Sequence, residues 1–436
     1  MDYLVEEIIN RVSKRVDHCE VYLEQEKATE ISVLNDEVNY AKEEDTTGIG
    51  LRVINNQQQG FSYTTNVNRI DDVIEQAIKN SKLNNPDKNL AIIEKPEGYR
   101  KVSGLYDKKI NDVTLAEAIQ RCNNMIELVK ENDCQPTSAE YEISVGKTII
   151  ANSNGVFATE EQTGSGVSVS VNAEDEDGFS SAYAYDLGHD DSLEMERIVQ
   201  ESTDLAKSSR NGKKTQTRTT TVILDYFAIS SLLGTFLSAL SSENTQRGRS
   251  YLQDKMGQTV SSESFSLYDD ATIEGANRSS MFDDEATPSQ KTELIKDGVL
   301  TSFIYDTYHA NKDESDVTTT SNATRAGYSS VPTVGFTNIN TQFREITPIT
   351  DIPDGITVHS VMGAHTANPI TGDFSVEARN AFEIANGEVT NPIKKAMISG
   401  NIFEIMKSAT ALSDQTRQVG SLITPKVVAQ NLRVIG

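Results

Sequence analysis

Apolar residues at helical spacing open the chain. Leu4, Val5, Ile8, Ile9 and Val12 recur three and four apart and predict an amphipathic helix over residues 2–16. From Glu20 the period drops to two. Val21 and Leu23, then Ile31 and Val33, then Val38 and Tyr40 read as strands around an Asn35-Asp36-Glu37 turn, with further strands at 48–53 and 60–63. Helices are expected over 69–82 and 114–132, the second opened by Thr114 and Glu117 as a capping box. The same order then returns: strands at 140–145, 148–151, 163–169 and 178–183, and a helix at 192–209. DTTGIGLRV matches EQTGSGVSV, and QGFSYT matches DGFSSAY. This predicts a divergent duplication of a four-stranded antiparallel sheet plus helix, an α+β domain over residues 1–215.

After a polar linker at 208–214, a strand at 219–224 leads into a mostly apolar helix that Asp225 caps and that runs through Leu240. From Gly257 onward the chain is strand-rich, with Gly, Asn, Asp and Pro turns. The second domain, residues 216–436, is therefore expected to be β-rich with few helices. Turn chemistry is densest between His359 and Glu404. Gly363, Asn368-Pro369 and Thr371-Gly372-Asp373 break any strand there. Asn386-Gly387, between Ile384 and Val389, is a hairpin signal. Asn401 with Glu404 reads as the cap of a helix near 401–411 that carries Ile402, Ile405, Met406 and Ala409.

Composition narrows the possible partners. The 436 residues carry 65 acidic against 40 basic side chains, a formal charge of −25, which repels phosphate backbones and anionic lipid. Nucleic acid and membranes are thus not expected partners. No apolar run approaches the ~20 residues of a membrane helix, and the acidic start lacks the positive residues of a secretory signal. Cys19, Cys122 and Cys134 are odd in number and without metal spacing, which fits a reducing compartment. A cytoplasmic location is expected.

Candidate chemistry is sparse. His359 and His365, with Asp373 and Glu377 nearby, match no standard zinc spacing, and His18, His189 and His309 stand alone. HExxH, GxSxG and GxxxxGK[ST] are all missing. Gly48-x-Gly50 and Gly164-x-Gly166 lie inside strands and read as bulges or close packing. Asp269-Asp270 and Asp283-Asp284-Glu285 read as turn and surface residues, since adjacent carboxylates point to opposite sides of a strand. The acidic run at 174–177 reads as a solvated hairpin tip.

Longer stretches carry a resemblance. GIGLRV and QGFSYTTN near the start, RGRSYLQDKMGQ and TELIKDGVLTSFIYDTY in the second half, and above all NPITGDFSVEARNAFEIANGEV with SGNIFE resemble the TldD/PmbA family, described as modulators of DNA gyrase and as metallopeptidases. The resemblance implies one of two branches. In the TldD branch, HExxxH on the first helix of the C-terminal domain and a late cysteine mark the zinc peptidase; the TldE or PmbA branch lacks both and pairs with it. Counting back without gaps from RGRSYLQDKMGQ puts the motif on Leu233, Gly234 and Ser238, none of which ligates zinc strongly, and no cysteine follows Cys134.

The resemblance therefore implies a non-catalytic TldE-like subunit with no cofactor of its own. Zinc would be held only by an HExxxH-bearing partner, the two chains forming a heterodimer that encloses unfolded peptide; a homodimer of this chain alone is also open. His365, Asn368, Thr371, Asp373 and Ser375 are the residues expected to face peptide or partner. Two other readings stay open: a self-sufficient metallopeptidase using His359, His365 and an acid, and a regulatory module that binds another protein.

Overall fold

The computed structural model describes residues 1–176 and 178–436. Two sheets organise the chain. The first takes strands β1 (His18–Leu34), β2 (Glu37–Asn55), β3 (Gln58–Thr64), β4 (Gln135–Asn152), β5 (Phe157–Asp175) and β6 (Gly178–Gly188) in the order β3-β2-β1-β4-β5-β6. Every pairing is antiparallel, and β1 lies against β4 at the centre. Helices α1 (Asp2–Val12) and α2 (Ile70–Ser81) flank the first three strands in the chain. After the short α3 (Lys108–Asp112), α4 (Leu115–Glu131) and α5 (Met195–Ser208) flank the second three. Each half thus reads helix, three strands, helix.

The duplication is present, but with three strands per copy rather than four. The expected break between 145 and 148 does not occur. Gly146 and Lys147 pair with β1 on one side and β5 on the other, so the ladder holds the chain extended through them. The turn at Asn35 and Asp36 is tight, with both residues at positive φ. Thr114 and Glu117 form the reciprocal cap of α4. All four helices that flank strands cover one face of this sheet. Odd positions of β1, β2, β4 and β5 make that face; Val21, Leu23, Leu51, Tyr141 and Val169 are buried in two apolar clusters beneath the helices. Even positions make the other face.

The C-terminal half begins with β7 (Arg218–Leu224), α6 (Tyr226–Ser238) and α7 (Ser242–Gln246). It continues through β8 (Phe265–Asp270), β9 (Lys291–Lys296), β10 (Val299–Leu300), α8 (Thr307–Lys312), β11 (Ala323–Thr324), β12 (Thr333–Val334), β13 (Ile339–Phe343), β14 (Asp354–Met362), β15 (Asp373–Ala385), β16 (Glu388–Ile393), β17 (Ala396–Asn401), α9 (Ile402–Met406), β18 (Thr410–Val419) and β19 (Leu422–Ile435). The half is β-rich with short helices, as its sequence predicts. Eleven strands join one sheet, and pairings β7–β14–β15–β17–β19–β7 close a circuit. The apolar side of α6, with Leu232, Leu233 and Phe236, enters the core that this circuit surrounds.

Two expectations are corrected here. The helix near 401–411 is the five-residue α9, and Thr410 already starts β18; Asn401 caps it by accepting from Phe403 and Glu404, while Glu404 pairs with Lys407 instead of returning to the cap. The acids read as surface turns are buried: Asp269 and Glu285 are each 1% exposed, and Asp270 and Asp283 are buried as well. Asp269 accepts from Asn322 and Thr337. The group around Glu285 joins the two halves of the chain. In the acidic run at 174–177, Asp175 ends β5 and accepts the Asn211 N–H, and Asp177 lies outside the described residues.

That junction is ionic. Arg52 donates to both oxygens of buried Glu20 at 3.1 and 3.0 Å and lies 3.2 Å from Glu285. Arg325 reaches Glu20 from the other side, and its backbone N–H donates to Asp284 at 2.6 Å. Gly48 and Gly50 admit the loop beyond β11: a Cβ on Gly48 would lie 2.0 Å from the Tyr328 ring and one on Gly50 2.4 Å from the Tyr328 carbonyl. Their place inside a strand thus reflects close packing. His189 bridges the halves too, its ring nitrogens 2.6 Å from the Thr163 carbonyl and 3.2 Å from that of Ala276.

Candidate functional site

Helix α6 is set by the residue that caps it. Asp225 accepts the Tyr226 N–H at 2.7 Å, and its other carboxylate oxygen meets Lys426 Nζ at 3.0 Å and His359 Nδ1 at 3.3 Å. Burial opposes the charge on Asp225, but the bond from His359 and the nearby Lys426 hold its carboxyl below the usual range. His359 is therefore tied into the helix cap, packed 5.1 Å from the Phe227 ring. It is not a loop residue.

The three positions matched to a zinc motif sit on this helix with unlike surroundings. Leu233 is 1% exposed in the core. Gly234 faces open space, with no atom within 4 Å of where a Cβ would be. Ser238 donates its hydroxyl to the Thr235 carbonyl at 2.8 Å. Leucine and glycine side chains offer no lone pair, and a neutral hydroxyl already bonded to its own helix is a poor ligand. This donor set does not fit zinc. Among the described residues no three His, Cys, Asp or Glu side chains gather as a metal-holding group.

The loop between β14 and β15 lies beside the same helix. Gly363 takes φ +96° and releases the chain into one 3-10 turn, Ala364–Thr366, which packs against α6. The Asn368 side chain accepts the N–H groups of Ile370 and Thr371, so the loop closes on itself. Gly372 is required twice over. Its φ is +86°, and a Cβ there would meet the Phe403 ring at 2.4 Å. Thr371 donates to Asp373 at 2.8 Å, and Asn401 donates to Asp373 and to the Thr371 carbonyl at 2.9 and 2.7 Å. Those two partners, Asn401 first, depress the Asp373 carboxyl.

All five residues expected to face peptide or partner are exposed: His365, Asn368, Thr371, Asp373 and Ser375. Asn368, Thr371 and Asp373 use side-chain atoms to hold the loop's shape. His365 and Ser375 have no side-chain hydrogen bond among the described residues. Sequence reasoning missed the apolar border of this surface. Met362 and Met397 stand in one row across β14, β15 and β17, both paired with Glu377, and both are exposed, as is Ile370 on the loop. It also missed the acidic cavity of about 400 Å³ between the first sheet and the C-terminal half, lined in part by Glu26, Glu160, Arg278 and Asp284. The alternation of Glu with apolar residues in β1 is the signal that could have shown it.

With this geometry in hand, comparison with known proteins is decisive. Family profiles for PmbA/TldA metallopeptidase domain 1, central domain and C-terminal domain match residues 19–81, 108–210 and 217–436. The chain belongs to the TldD/PmbA family. An uncharacterized protein from Methanocaldococcus jannaschii is 34% identical over 383 residues, covering 87% of this chain and 88% of its own. A Haemophilus influenzae protein named metalloprotease PmbA homolog is 24% identical over 89% of this chain and 85% of its own. Among solved structures, TldE from Thermococcus kodakarensis superposes with a TM-score of 0.92 at 24% identity, covering 99% of this chain and 100% of that one. At that identity the likeness shows the shared TldD/PmbA fold.

Proposed function

We propose that this chain is a TldE-like, non-catalytic subunit. It pairs with an HExxxH-bearing member of the family, which holds the zinc, and together they process unfolded peptides in the cytoplasm. What supports this reading is the donor set on α6: a buried leucine, a bare glycine and a self-bonded serine at the positions that ungapped counting matches to the zinc motif, next to an outward-facing loop. That loop, with the methionines beside it, gives a pre-shaped apolar and polar surface suited to peptide or partner. Among the described residues no helix is long and apolar enough to cross a membrane, and three buried, free cysteines suit a reducing compartment.

The test is to mix this chain with an HExxxH-bearing relative and follow both association and peptide cleavage. A stable pair that cleaves unfolded peptide is expected. Alanine at His365 and Ser375, which have no role in holding the loop, should slow cleavage or weaken pairing while leaving the fold intact. Absence of association, or unchanged turnover by these variants, would contradict the assignment.

A further inference from the structure

The face of the first sheet that the helices leave bare has an unusual charge pattern. Cross-strand register places Glu26 beside Gly146, Ala28 beside Ser144, Glu30 beside Glu142 and Ser32 beside Glu140. Glu44 and Lys42 continue two of these rows on β2, and Gly164 and Gly166 continue them on β5. Glu30 and Glu142 are directly opposed across β1 and β4, an arrangement that destabilises a sheet. Lys42 is the one cation among the described residues at this end of the face, and it pairs with Glu44 at 2.7 Å.

The other end of the same face is treated differently. There Glu20 has two arginines and is covered by the C-terminal half. At the open end Glu26, Glu44, Glu140 and Glu142 are exposed to solvent. Burial and the neighbouring glutamates push the Glu26 and Glu142 carboxyls up. Lys42 stands opposite Glu30 on β2 and the Tyr40 hydroxyl donates to Glu30, but acids outnumber cations at this end of the face.

Its shape suits an extended chain. Glu26 and Glu30 project from one strand, and same-side residues in a strand repeat every ~6.8 Å, the repeat of same-side side chains in an extended peptide. Between the acids the floor is small: Ala28, Ser144 and Gly146. A Cβ on Gly146 would come no closer than 3.9 Å to anything. Glu26, Ser144 and Gly146 of this face also line the cavity of about 400 Å³. Tyr40 flanks the acids on β2 and donates its hydroxyl to Glu30, and Tyr183 stands on β6, stacked 5.6 Å from Tyr185.

We propose that this bare sheet face is a docking trough for an extended, lysine- or arginine-rich polypeptide, whose cations supply the countercharge missing at Glu26, Glu30, Glu140 and Glu142. The proposal rests on the peptide-handling role proposed above and narrows its substrate class. Charge complementarity selects the occupant: the spaced carboxylates repel nucleic acid and acidic peptide and match a basic chain.

The experiment uses the full chain alone and a fluorescent, unstructured peptide alternating lysine with small residues. A neutral peptide of equal length and spermine serve as competitors, with anisotropy measured at about 0.1 M salt, where the Debye length is about 10 Å. The basic peptide should bind more tightly than either competitor. The double variant Glu30→Gln/Glu142→Gln should weaken it about tenfold, while Glu6→Gln/Glu131→Gln, which removes the same charge elsewhere, should leave it unchanged. Equal binding of basic and neutral peptides, equal weakening by both double variants, or spermine binding as tightly as the peptide would overturn the proposal. The two readings fail separately: if only this one is wrong, the chain still assembles with its partner and the pair still cleaves neutral peptides.

Discussion

One face of one sheet carries two acidic regions with opposite fates. At the covered end, Glu20 is buried between Arg52 and Arg325 and shares Arg52 with Glu285, with Asp284 held by the Arg325 backbone. At the open end, Glu30 stands between Glu142 and Lys42, and no arginine among the described residues pairs with it. The strands and the alternation are the same; the difference is whether the C-terminal half brings a cation. Charge in the first region joins the two halves of the chain, and charge in the second is left for something outside it.

The largest effect should come from removing a cation at the covered end. Arg52→Met leaves Glu20 and Glu285 buried with less countercharge and should destabilise the chain by about 3–5 kcal/mol. This would appear as a lower urea midpoint and faster proteolysis between the halves. Next is the close approach that lets the junction form. Gly48→Ala drives a Cβ into the Tyr328 ring and should cost about 1–3 kcal/mol, partly recovered by adding Tyr328→Ala.

Acidity gives a second handle on the covered end. Burial pushes Asp284 up to about 6, Arg325 only partly opposing it. The folded chain then holds a proton between pH 4 and 6 that the unfolded chain has released, so this group makes stability fall as pH rises through that window, by about 3 kcal/mol. Asp225 has the opposite sign: its depressed carboxyl contributes stability above pH 4 that is lost on further acidification. Maximum stability should therefore lie on the acid side of neutrality, and Asp284→Asn should flatten the slope between pH 4 and 6 in denaturation measured across pH. The smallest effect belongs to the open end. Glu30→Gln or Glu142→Gln relieves direct repulsion and should be neutral or stabilising by about 0.2–1 kcal/mol, whereas substitution at Glu20 should destabilise.

Much of this fold is legible in the sequence because its signals are local. The Asn35-Asp36 turn, the Thr114 cap and the Asn386-Gly387 hairpin depend on residues within a few positions of one another. The loop around Asn368 and Gly372 reads correctly for the same reason. Features that depend on distant partners read wrongly. Asp283, Asp284 and Glu285 look solvated until Arg52 and Arg325 are brought to them across the chain. Gly146 looks like a break until strands on both sides fix it. The α6 positions Leu233, Gly234 and Ser238 rest on resemblance and ungapped counting and carry no local signal; their surroundings differ because α6 turns Leu233 to the core and Gly234 to open space.

The central claim is that this TldD/PmbA chain leaves zinc to a partner. Its most direct test is the zinc content of the purified chain, alone and after assembly with an HExxxH-bearing relative. The chain alone should carry far less than one zinc, and the assembled pair one zinc that is lost when the partner's motif is removed. One zinc per chain in the isolated protein, lost on His365→Ala, would contradict it.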